Sequence, residues 1–136
     1  MCEILSLKDA LELYQTQYTQ VDKLWSYFGT CTLAVLGFSI GSEKATKSML
    51  EVFVILAGYL VFCAGNYNAL CLGQKQLTEF ANLAIQAASS QKIDFRILQP
   101  LPPEYISIFY WCVVAAVCIG IVIIARKRQR NSRRLS

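Results

Sequence analysis

Residues 52–72 read VFVILAGYLVFCAGNYNALCL, 21 positions without one charged side chain. About 20 apolar residues let a helix cross the hydrocarbon core of a bilayer. In that core every backbone N–H and C=O must find its partner within protein, which a lone segment achieves only as a helix. Two more uncharged runs flank this one, residues 24–40 (17 positions) and 105–125 (21 positions). Three such runs in 136 residues leave little chain for a separate water-soluble domain. The expected fold is an all-α membrane protein with three transmembrane helices, a single helical membrane domain over residues 1–125, and a basic tail over 126–136.

The pattern before the first span is equally constraining. Ile4, Leu7, Leu11, Tyr14, Tyr18, Val21, Trp25 and Phe28 recur at alternating steps of three and four, the a/d seam of a heptad repeat. Ser6 with Asp9 forms a capping box that starts a helix near Leu7. Nothing breaks that helix before the span, so one rod is expected over about 7–40, its first half outside the hydrocarbon. A helix lying flat on lipid would carry more cations on its polar face than Lys8 and Lys23. Packing against protein is therefore preferred.

Residues 41–48, GSEKATKS, form a short polar turn, with Ser48 and Glu51 as a second capping box. So short a connection makes the first two spans antiparallel neighbours. The second helical pattern then outlasts its span. Leu70, Gly73, Leu77, Phe80, Ala84 and Ala87 keep the three-four spacing, extending that helix to about Ala88. The sequence thus predicts a long antiparallel hairpin that continues beyond the bilayer on one side, as paired extensions over about 7–23 and 73–88.

Small residues mark the expected packing faces. Gly29, Gly37 and Gly41 share one side of the first span, and Gly58, Gly65, Ala69 and Gly73 lie within about a quarter of the circumference of the second helix. Small faces let backbones approach closely in lipid. On this reading they close the hairpin, with Gly29 and Leu33 near Phe62 and Gly58. Asn66 and Asn68 flank the second small face as intramembrane polar groups, either bonding helices together or, with Tyr67, lining a path for a small solute.

Residues 91–104 break the helical pattern. Ile93, Phe95 and Ile97 alternate with Asp94 and Arg96, the period of a short extended stretch. Pro100, Pro102 and Pro103 forbid a continuous helix and suit a rigid return loop. Tyr105, Tyr110 and Trp111 gather at the start of the third span as an interfacial anchor.

The tail carries Arg126, Lys127, Arg128, Arg130, Arg133 and Arg134 with no acid. These six are the expected contacts to anionic lipid headgroups, each contributing about 1 kcal/mol near the surface. A basic cluster beside a span also holds that end in the cytoplasm. With three spans, the N-terminus then lies outside. The first 23 residues carry Glu3, Asp9, Glu12 and Asp22 against Lys8 and Lys23, which suits transfer across the membrane. A multi-pass protein of the cell (inner) membrane is the expected placement.

The absence of histidine and of any mid-span charge argues against membrane enzymes and proton-coupled carriers, which keep ionisable groups within the bilayer. Five of the six cysteines, Cys31, Cys63, Cys71, Cys112 and Cys118, fall in the spans as soft apolar groups, and none pairs with another or with Cys2 as C-x-x-C. No catalytic residue, metal site or cofactor is expected, and nucleic acid is not an expected partner. The leading expectation is a non-enzymatic assembly module, forming a homo-oligomer or joining a larger membrane complex. The alternative is a pore-forming subunit.

Overall fold

The computed structural model describes residues 6–134. Cys2, the acidic Glu3, Ile4 of the heptad pattern, and Leu135 and Ser136 of the tail lie outside them. Three long helices account for most of the described chain: α1 (Leu7–Gly41), α2 (Met49–Ser89) and α3 (Pro103–Arg134). Each is long and apolar enough to cross a membrane. At 1.5 Å per residue their 35, 41 and 32 residues reach about 52, 62 and 48 Å, well beyond a hydrocarbon core of about 30 Å.

The helix boundaries follow local chemistry. Ser6 Oγ accepts the Asp9 N–H at 3.2 Å and donates to the Asp9 carboxylate. Ser48 and Glu51 complete the reciprocal capping box, with Ser48 N–H donating to Glu51 Oε2 at 3.1 Å. α1 ends at Gly41, and the Ser42 N–H returns to Phe38 O. α2 ends in a Schellman arrangement: Ile93 N–H reaches Ala88 O, Lys92 N–H reaches Ser89 O, and Lys92 takes a left-handed φ of 59°. A non-glycine residue there costs about 1 kcal/mol, offset by the carbonyls it satisfies. The extended stretch expected around Ile93 to Ile97 does not form. Residues 93–95 are irregular and Arg96–Leu98 make a 3₁₀ turn. No strand lies alongside to pair with it among the described residues, and Ile97 is 91% exposed. Pro103 opens α3 at the position where a missing N–H has no consequence.

α1 and α2 run in opposite directions against each other. Gln17 meets Gly73 and Gln76, whereas Thr32 meets Tyr59, so partner numbers fall as α1 numbers rise. The contact follows the heptad seam of α1 well past Phe28. Ala10, Val21, Phe28, Thr32 and Ser39 are its buried residues. On α2, Val52, Tyr59, Cys63, Asn66, Leu70, Gly73, Leu77, Ala81, Ala84 and Ala88 are buried in steps of three, four or seven, with Gln74 buried beside Gly73. α3 continues the theme with Tyr110, Val114, Val117, Ile121 and Ala125. A 3.5-residue period on each helix keeps one stripe facing the neighbours over many turns.

This seam corrects the expected close approach of the small-residue faces. A Cβ built on Gly29, Gly37, Gly41, Gly58 or Gly65 meets nothing within 4 Å. Leu33 is 71% exposed, and Ala69 is exposed as well. At 100° per residue the line from Gly29 to Gly41 lies on the side of α1 opposite its buried stripe. Only Gly73, among the glycines so named, is packed: a Cβ there would stand 3.2 Å from Val21 Cγ2.

Candidate functional site

α3 lies across the groove between α1 and α2, and its Tyr110 organises the centre. The residue is fully buried. Its hydroxyl donates to Cys63 O at 2.8 Å and accepts from Asn66 Nδ2 at 3.4 Å. Its ring stacks on Phe28 of α1 at 4.3 Å and lies within 6.1 Å of Trp25 and 5.3 Å of Tyr67. Thr32 and Tyr59 share a hydrogen bond of 3.0 Å, and Tyr67 and Ser107 one of 2.6 Å. These groups satisfy one another across all three helices. In a medium that offers no water, such bonds hold helices together with about 1 kcal/mol each. The arrangement explains Asn66: its amide bridges α2 to α3. Sequence reasoning assigned Tyr110 to an interfacial anchor, whereas it is the central buried ring. Its place in the 110, 114, 117, 121 repeat was the available signal.

Asn66, Tyr67 and Asn68 do not face a common space within the chain. Successive residues of a helix diverge by about 100°. Asn66 is buried, Tyr67 is half-buried against Ser107, and Asn68 is exposed. No hydrogen bond ties the Asn68 amide to a described residue. It points about 170° round α2 from the buried face and flanks the outward small face formed by Gly58, Gly65 and Ala69.

The basic end is built differently from a flexible tail. α3 runs through residues 126–134 as continuous helix. Arg128 takes the next inward step of the α3 seam after Ala125 and is half-buried. Its guanidinium donates to Ser39 O and Ser42 O at 3.1 Å, to Thr46 Oγ1 at 2.9 Å, and to Ile40 O. The last carbonyls of a helix have no partner within it and carry its negative dipole end. Arg128 therefore caps α1 and fastens the 41–48 turn to α3, so its side chain is engaged within the protein and not by headgroups. Arg126, Lys127, Arg130 and Arg134 lie on the outer side of α3 around a shallow concavity of about 320 Å³. Arg133 is exposed near the helix end.

At the other end of the bundle, α3 has only begun at Pro103. Above that level the α1–α2 groove is filled by the return loop alone, held by a 3.5 Å contact from Gln74 Nε2 to Leu101 O. A cavity of about 570 Å³ remains there, walled by Tyr14, Tyr18, Trp25, Tyr105 and Phe109, with Asp22 among them. Burial, reinforced by neighbouring Tyr18, raises the pKa of the Tyr14 phenol above its ordinary value. Nothing in the sequence pattern announced this cavity, because it arises where three helices give way to two.

Comparison with protein-family models, with curated proteins and with solved structures found no match to this chain.

Proposed function

We propose that the chain is a non-enzymatic, multi-pass membrane protein whose task is assembly, through an outward face of α2 that receives a helix of a second copy. The observation that carries this reading is Asn68. It stands near the end of an uncharged span, facing away from the buried stripe and flanking the outward small face of Gly58, Gly65 and Ala69, and no described residue bonds it. An amide without a partner in lipid is costly, and a small-residue face beside it admits a second backbone closely enough to supply one. The glycine side of α1, with Gly37 and Gly41, offers a second such surface. Within this reading α1 and α2 form a hairpin whose paired extensions, residues 7–23 and 73–88, stand outside the bilayer. The N-terminus is external, and the α3 end is cytoplasmic in the cell (inner) membrane. Arg126, Lys127, Arg130, Arg133 and Arg134 reach anionic headgroups, whereas Arg128 stays on α1.

Energy transfer between singly labelled copies in liposomes tests the assembly. The unaltered chain is expected to show transfer that rises with protein-to-lipid ratio and saturates. Gly65→Ile with Asn68→Leu is expected to abolish it without loss of helix content. Transfer unchanged in that variant would sink the reading. A conducting subunit is the competing reading, and between copies its lining would be Asn68 and not the buried Asn66. Ion flux from oligomeric liposomes that disappears in Asn68→Leu would favour it.

A further inference from the structure

We propose that the cavity between the α1–α2 extensions and the return loop binds a lipophilic organic cation. Its volume of about 570 Å³ lies in the range of small-molecule sites, which run from about 300 to 1,000 Å³. Its wall is mostly apolar and aromatic. Tyr14 and Tyr18 stand 6.4 Å apart at one end, and Trp25 and Phe109 stand 6.1 Å apart at the other. From Tyr14 to Trp25 the wall runs about 16 Å along α1. Ring faces attract a cation that has shed its water, and a bulky cation with delocalised or shielded charge sheds water most readily.

Charge complementarity selects the sign. Among the described residues lining this cavity, Asp22 alone is charged. Its carboxylate makes no hydrogen bond or ion pair to a described residue, since the one bond at this position runs from Ser26 Oγ to the Asp22 backbone carbonyl. An anion would meet this carboxylate and the negative ring faces together, whereas a cation meets both favourably. The location supports the same occupant. Asp22 and Trp25 straddle the start of the first apolar run, so an amphiphilic cation partitioned at the membrane edge arrives at the level of the cavity. The site is independent of the assembly face, since it uses α1, the loop, the start of α3 and the inward residues Gln74 and Leu77 of α2, and not the outward side of α2.

The test compares two probes of one shape and opposite charge, tetraphenylphosphonium and tetraphenylborate. Trp111→Phe leaves Trp25 as the sole tryptophan, and its emission reports occupancy of the cavity without signal from probe dissolved in micelles. Tetraphenylphosphonium is expected to give a saturable change, and tetraphenylborate none. Asp22→Asn is expected to weaken the cation about fivefold, as befits one partly exposed carboxylate. Tyr18→Ala, at a ring that is 57% exposed and so not needed for folding, is expected to weaken it as well. Asp9→Asn, elsewhere on α1, is expected to leave it unchanged. Equal response to both probes, unchanged affinity in Asp22→Asn and Tyr18→Ala, or no saturable response from protein of full helix content would each overturn the proposal.

Discussion

Gly65 and Gly73 stand about two helical turns apart on α2, in surroundings that have nothing in common. Gly73 is buried, with Val21, Gln17 and Leu24 of α1 within 4 Å of where its Cβ would be, and its carbonyl accepts from Gln17 Nε2 at 3.2 Å. Gly65 faces outward with empty space beyond it. The same contrast separates Asn66 from Asn68 and Arg128 from Arg130. In each pair the residue type is shared and the helical phase differs. The inward member closes the chain on itself. The outward member, on the proposed reading, meets lipid, headgroup or a second copy. Residue type thus says little about a role in this protein until the phase of its helix is known.

The largest way to break the contrast is to add volume at both glycines. Gly73→Leu forces α1 and α2 apart and is expected to destabilise the monomer by about 3 kcal/mol, read by helix loss in mixed-micelle titration. Gly65→Leu is expected to change monomer stability by less than about 0.5 kcal/mol while lowering association. Equal effects would mean that the two faces are not distinct.

Next comes the arginine pair. Arg128→Ala strips the guanidinium from the carbonyls of Ser39, Ile40 and Ser42, an expected loss of about 2 kcal/mol. Arg130→Ala is expected to leave stability unchanged and to weaken binding to anionic vesicles instead. Arg128→Lys separates charge from shape. A point charge cannot reproduce the fork that spans several acceptors, so only partial recovery is expected.

A smaller effect is expected at the central ring. Tyr110→Phe removes the hydroxyl bonded to Cys63 O and Asn66 while keeping the stack on Phe28, for a loss of about 1 kcal/mol. Tyr105→Phe, at a ring 69% exposed, is expected to cost nothing measurable.

The smallest effect is on pH. Burial raises the Tyr14 pKa above the ordinary tyrosine value, so the neutral phenol is favoured in the folded chain. Its stabilisation is fully present below the unfolded value and fades as pH rises through the raised one. The late-titrating part of the tyrosinate absorbance is expected to fall by one phenol in Tyr14→Phe. Ionisation of all phenols together would remove the Tyr14 contribution.

Much of the frame was legible along the chain, for local reasons. Ser6 with Asp9 and Ser48 with Glu51 mark helix starts because a side-chain oxygen and the backbone N–H groups it serves are only two or three residues apart. The second helix runs on past its uncharged stretch to Ser89, as its unbroken three-four spacing predicts. The expected approach of Gly29 and Leu33 to Phe62 and Gly58 does not form, because glycine permits close approach without compelling it. The pairing that forms follows the side of each helix where Phe28, Tyr59 and Tyr110 offer bulk and hydrogen bonds together. Carrying the N-terminal seam past Phe28 to Thr32, Val35 and Ser39 would have found that side.

Composition and periodicity by themselves determined three apolar helices and the starts of the first two, since these depend on contacts within a few turns. The assignment of Arg128 to a helix end 86 to 89 positions away, and the cavity beside Asp22, were decided only by the tertiary structure. Both depend on where α3 enters and leaves the groove of the other two helices. That level is set by the path of the proline-bearing loop through space, and no spacing along the chain encodes it.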